Sequence, residues 1–470
     1  MRRIGVVSLV IGIAIASSGI SGGQEAQAVL RAGTDARSIV PDQDGDGTPD
    51  LERVYLGGFG LGPYRVFDPN YEPITYLGPE NRPAADVDPL GIWVRSIALG
   101  NAAGQTVVVQ SLDLQGYFLA FKGCDCGADA IRRGFAEATG LPATNLLVHA
   151  THQHAGPNVL GHQGGVPTWY LEQVRDTAIA SAAAAVDALE PALLGSGTRL
   201  VPEYHRHRRA TYTPAIDDTL VYLHATRPSD GSTIGTLVQY SAHPTVLGSD
   251  NRTIHPDYPG PLVNAVEREL GGTAVYLNGG LGNVSPAAPD AADDYAQAVA
   301  LGEAIAGEVI TDVAGGTHPV GGDTVAAYVQ TFQHPITNPV LLGGSALHVY
   351  MRSDELLTVS PEPLPYPSGA LPLRAVTEGG GFRIGDATVL FAPGEIFGAI
   401  ASAAKSASTW TSATLVAGLG NDHVGYIMQN HEYKLMQVQE YEETQSLDPW
   451  VGDHVLDVLL EANQALLATS

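Results

Sequence analysis

From about residue 90 onward the sequence alternates short β-branched apolar runs with longer segments of helical pattern, and few architectures accommodate that order. The strand-like runs are 91–99, 106–113, 145–150, 219–225, 234–241, 273–278, 385–392 and 413–418. The helix-like segments are 128–139, 168–189, 259–270, 290–313, 395–407 and 450–468. Runs this apolar suit strands covered on both faces. The expected fold is therefore α/β, a single large domain with a mixed β-sheet core flanked by helices. A chain of 470 residues with 44% hydrophobic content can build such a core. No internal repeat and no strong boundary divides it. The Pro- and Gly-rich stretch 335–380 reads as a long loop of the kind that forms a lid or pocket wall.

The segment ahead of this pattern reads differently. Arg2 and Arg3, the apolar run 4–16 and the small residues Ala26 and Ala28 around a cleavage point make 1–28 a signal peptide, which implies a secreted or periplasmic protein. Residues 29–40 read as an exposed, poorly structured leader. They open an N-terminal extension, 29–84, ahead of a main domain over 85–470. Within the extension, Asp42, Asp44, Asp46 and Asp50 have the DxDxDGxxD spacing that gathers oxygen ligands on a tight turn, a candidate calcium site. An EF-hand would carry its glutamate at the twelfth loop position, where this chain has Arg53. No segment after the leader reaches a membrane-spanning length, so no integral span is expected in the mature chain. The net charge of −26 repels phosphate backbones and excludes nucleic acid as a partner. Cys124 and Cys126 read as a local loop feature that an oxidising compartment could close into a small ring.

Four polar clusters follow apolar strands, where loops on α/β sheets carry active sites. His152 and His154, in THQHAGPN, lie two residues apart on extended backbone and so face one side, suiting one metal ligand and one acid/base group. His243, in SAHPT, follows the strand 234–241, as either a structural residue or a ligand. The run NGGLGNVSP lets backbone amides approach a ligand, with Ser285 as nucleophile or hydrogen-bond donor. Glu395, in APGE, either ligates a metal or favours the dipole of the helix it opens. Histidines and a carboxylate from separate loops fit catalytic zinc.

Taken in order, THQHAGPN, SAHPTVLGSDN with HPDYPG, YLNGGLGNVSP, FAPGE and GLGNDHVGYIMQNHEY resemble the blocks of the neutral ceramidase family, over roughly residues 85–468. The resemblance implies a zinc ion held by His152, His243, Glu395 and Tyr426. It implies further active-site roles for His154, Ser285, Arg208 and Tyr441, and a lipid-like amide as substrate. Where the family reads TTxEEY this chain has IMQNHEY, GDVSP reads GNVSP, and the family's C-terminal immunoglobulin-like domain has no counterpart. The implied reaction is attack of a zinc-activated water on the N-acyl bond of ceramide or a ceramide-like lipid. A serine-nucleophile route through Ser285 is the mechanistic alternative. Other N-acyl amides or esters are the alternative substrates, and a non-catalytic calcium-dependent surface protein is the alternative class.

Overall fold

Strands written as continuous apolar runs need cover on both faces, and four layers supply it. The computed structural model describes residues 30–59, 64–67, 73–77, 82–209, 215–346, 350–434 and 441–469. The leader 1–28 lies outside the described residues.

The larger sheet contains β1 (Leu30–Ser38), β2 (Trp93–Gly100), β3 (Thr106–Leu112), β4 (Leu146–Ala150), β5 (Glu190–Leu200), β6 (Thr219–Thr226), β7 (Thr233–Tyr240) and β8 (Thr273–Asn278). Their order across the sheet is β8-β7-β6-β5-β1-β2-β3-β4, with His318–Pro319 added on β5. Only β7 with β8 and β3 with β4 run parallel. The smaller sheet has the order β9 (Val325–Pro335), β10 (Leu373–Ile384), β11 (Ala387–Phe391), β12 (Thr414–Ala417), with β11 and β12 parallel.

Alternate residues on one strand enter different cores. Ile97, Val109, Leu147 and Leu237 of the larger sheet pack against Val389, Phe391 and Leu415 of the smaller one. Their neighbours Val108 and Val148 turn the other way, onto α1 (Ala128–Thr139) and α2 (Thr168–Asp187). Tyr240 and Tyr276 likewise pack on α3 (Pro259–Leu270) and α4 (Asp294–Gly315). Beyond the smaller sheet, Leu390 and Val416 meet α6 (Gly398–Ser406) and α7 (Val451–Ala468), while α5 (Pro339–Ala346) lies in the connection between β9 and β10. The arrangement is α/β/β/α.

Three local expectations change. Residues 30–38 are a strand between β2 and β5, where a poorly structured leader was expected. The sequence LRAGTDARS has no apolar period, and β1 holds by backbone pairing on both sides. A Cβ on Gly33 would lie 2.4 Å from the Ala185 carbonyl oxygen, so helix α2 sits directly on the strand backbone. The stretch 335–380 is only in part a loop, because its end, 373–380, belongs to β10, whose register with β9 runs from Val325↔Ile384 to Pro335↔Arg374. Helix α6 begins at Gly398, so Glu395 is not a first-turn acid. It pairs as a parallel strand residue with Tyr426.

Candidate metal centre

The loops after β4, β7, β11 and β12 converge. The loop after β4 is fixed by Thr151 and His152 donating backbone N–H bonds to Leu112 and Leu114, each 2.9 Å. His152 has φ +67°, a left-handed conformation disfavoured for a residue with a Cβ, of the kind that surrounding structure must enforce. His154 N–H donates to Pro244 O at 3.2 Å, which ties this loop to the turn after β7.

Five of the residues expected from sequence meet here. Glu395 Oε2 lies 3.3 Å from His152 Nε2 and 3.1 Å from His243 Nε2. Tyr426 Oη lies 3.3 Å from His243 Nε2, and His154 Nε2 lies 3.2 Å from His152 Nε2. Tyr426 is brought in by register, as the backbone partner of Glu395. All five are buried.

The geometry suits a tetrahedral ion. Bonds of about 2.0–2.1 Å to nitrogen and oxygen place neighbouring ligand atoms roughly 3.3 Å apart, and the donor spacings here are 3.1–3.3 Å. The surroundings suit one too. His152 Nδ1 donates to Gln115 O at 2.5 Å, and His243 Nδ1 to Leu281 O at 2.8 Å. Both rings therefore present an Nε2 lone pair to the centre, as metal-binding imidazoles oriented by outer hydrogen bonds do. Burial pushes His243 down to about 3 and His154 well below its usual range, so both imidazoles are neutral. Burial alone would raise the Glu395 carboxyl, but the histidines around it outweigh that and hold it well below the usual carboxylate range.

The other expected residues flank this set at different distances. The Arg208 guanidinium carbon is 5.8 Å from the Tyr426 ring centroid, and its Nε is 3.2 Å from Glu442 Oε1. Tyr441 meets Tyr426 edge to face at 5.8 Å and is half exposed. Ser285 is in a short ribbon opposite Arg206, one residue past the Val284 carbonyl that also accepts from His243 Nδ1, and its hydroxyl makes no hydrogen bond among the described residues. Far from the centre, Asp42, Asp44 and Asp50 bring carboxylate oxygens within 4.8 Å of one another, while Asp46 lies outside that group and caps Thr48 N at 2.7 Å. Cys124 and Cys126 are joined as a disulfide.

One residue was missed. His423 Nε2 is 3.2 Å from Glu395 Oε1, which makes a second ligand-capable group of His152, Glu395 and His423. The signal was available, since His423 follows an apolar strand just as His152 and His243 do. A cleft of about 880 Å³, including its mouth, opens onto Glu395, His423 and Tyr426. Phe118, Leu160, Ile336, Leu341, Val424 and Leu447 make its apolar wall, and Tyr441 stands on its edge. Ile336 through Leu357 come from the connection between β9 and β10, so that stretch forms a pocket wall.

Four layers and a buried histidine–carboxylate centre, assembled from loops of both sheets, define an α/β protein whose site could hold a metal ion. The fold is that of the neutral ceramidases. The chain is similar in structure to a neutral ceramidase from Pseudomonas aeruginosa, with TM-score 0.68 and 19% identity, covering 94% of this chain and 75% of that one. It is similar to a ceramidase complexed with C2 at TM-score 0.69 and 17% identity, with the same coverage. No protein-family model and no curated protein matches the sequence.

Proposed function

We propose that this chain hydrolyses the N-acyl amide bond of ceramide or a ceramide-like lipid, giving a fatty acid and a sphingoid base, with zinc as cofactor. The observation that carries this reading is the cleft, whose apolar wall suits an acyl chain and which opens onto Glu395, His423 and Tyr426 at the edge of the histidine–carboxylate centre. The solved structures of the same fold, described as ceramidases, support the substrate class.

His152, His243, Glu395 and Tyr426 would hold the ion, which would polarise the amide carbonyl and bring a water pKa toward about 7. The remaining steps belong to the chain's own groups. Arg208, beside Tyr426, and His154, beside His152, face the oxygen that gains charge as the carbonyl carbon becomes tetrahedral. The carbon–oxygen bond forms and the carbon–nitrogen bond breaks. The proton lost by the attacking water reaches the leaving nitrogen through His154 or Glu395. Ser285 and Tyr441 position the substrate.

Hydrolysis of a fluorescent N-acylsphingosine, abolished by chelation and restored by zinc, is the expected result. A zinc-containing protein inactive on it but active on other N-acyl amides or esters supports the second reading. The Lys122–Asp354 pair (2.8 Å) and Arg352 on the cleft wall favour that reading, because they make part of the wall polar. Trapping an acyl group on Ser285 would replace the water route with a serine one. His152→Ala is expected to lose both zinc and turnover, and a variant that kept both would overturn the ligand assignment.

Two further readings belong to the molecule's exterior. The disulfide supports export of the chain after loss of residues 1–28, which N-terminal sequencing of the mature protein checks. Calcium at Asp42, Asp44 and Asp50 would act structurally, and a thermal midpoint indifferent to calcium would remove it from the account.

A further inference from the structure

Glu395 divides its two oxygens. Oε2 faces His152 and His243, whereas Oε1 faces His423 alone among the three, at 3.2 Å. Glu395 and His423 both line the cleft, and the His423 ring is stacked near His152 at 5.9 Å and 19° and edge-on to Phe118 at 6.4 Å.

The loop that delivers His423 is held harder than loop closure requires. Leu419 and Asn421 both have left-handed φ, +54° and +62°, which costs free energy unless the surroundings compensate. Asn421 is clamped on three sides. Its backbone N–H donates to Val148 O at 2.7 Å, its Oδ1 accepts from Val148 N at 2.9 Å, and its Nδ2 donates to Glu378 at 2.7 Å. Asp422 accepts from Leu119 N, Thr377 Oγ1 and Arg352. Gly116 completes the seat, because a Cβ there would lie 2.7 Å from the His423 ring. This framework fixes an imidazole against one carboxylate oxygen.

We propose that His423 is a positioning residue for the metal centre. Its Nε2–H would hold Glu395 Oε1, so that the carboxylate would present a single oxygen, Oε2, to the four-ligand ion and leave a fifth position open for substrate or water. The inference rests on the metal-site reading above. Without the imidazole, Oε1 is released toward the cleft and is free to swing onto the ion as a second carboxylate ligand, which would fill that position.

The test compares the parent protein with His423→Ala and His423→Gln, the latter keeping an N–H donor near the same place. Zinc affinity is read by chelator competition, and coordination by the visible spectrum of the cobalt-substituted proteins, whose bands weaken as coordination number rises. His423→Ala is expected to bind zinc about 10–100-fold more weakly and to show weaker cobalt bands. His423→Gln is expected to recover part of both. Equal zinc affinity and equal spectra in all three proteins would overturn the proposal. So would a glutamine variant as impaired as the alanine one, because that outcome makes His423 a ligand and not a hydrogen-bond donor. A parent that binds no zinc would overturn the metal-site reading itself, and a thermal midpoint measured on the metal-free variants separates these results from a failure to fold.

Discussion

His154 shows how tightly a single side chain can be specified by a neighbour with no side chain at all. Gly58 has φ +94°, and a Cβ built there would lie 2.1 Å from His154 Cγ. Phe59 closes the other side, edge-on at 5.1 Å. Gly58→Ala therefore asks for a strained backbone and a displaced imidazole together. It is expected to cost about 1–3 kcal/mol of stability and, because a shift near 1 Å at a reacting group is severe, about 10²-fold in kcat/KM. Paired denaturation and steady-state kinetics would check this, and an active, stable alanine variant would place His154 outside the reacting set. Arg208 is the other residue with a definite expectation. On the proposed role of donor to the charged oxygen, replacing Arg208 by Met should lower kcat by about 10²–10³ while zinc content stays unchanged.

Elements are locked around the centre by buried polar ties. Asp217, just ahead of β6, accepts from Lys405 of α6 at 2.7 Å, Ser241 at 3.0 Å and Thr219 at 2.6 Å. Ser241 Oγ accepts in turn from Gly280 N at 3.0 Å, so one carboxylate joins α6 to the turns after β7 and β8. Burial favours the protonated form of Asp217, but the Lys405 ammonium and the hydrogen bonds outweigh it, and the folded pKa lies below the usual value. The stabilisation from this group is therefore complete above the unfolded carboxyl value of about 3.9 and is lost as pH falls through the lower folded value. Urea midpoints measured down through about pH 4 should show this fall, and Asp217→Asn should remove its share of the slope. At neutral pH the same variant leaves the Lys405 charge without its partner, and it should lose about 3–5 kcal/mol.

At the scale of the whole molecule, the centre exists only while the two sheets hold their relative position, since His152 and His243 come from one and Glu395 and Tyr426 from the other. Phe391 sits in the layer between them, 5.7 Å from Phe382, and a Cβ on Gly420 would lie 2.9 Å from its own Cβ. Phe391→Ala should cost about 3–5 kcal/mol and weaken zinc binding as well, a coupling that calorimetry with and without zinc would reveal. The sequence by itself determined eight strands and six helices close to their true bounds, because apolar periodicity and β-branching are local quantities set by which faces are buried. It also placed histidines and a carboxylate at strand ends. Tertiary structure alone decided the rest. β1 and the glycine-rich β10 carry weak apolar period, and pairing with distant strands is what makes them strands. Glu395 was ambiguous between a helix start and a ligand until its pairing with Tyr426 settled its backbone. His423 stood after an apolar strand and could have been singled out as a candidate, but its pairing with Glu395 Oε1, 28 residues earlier in the chain, has no local signature.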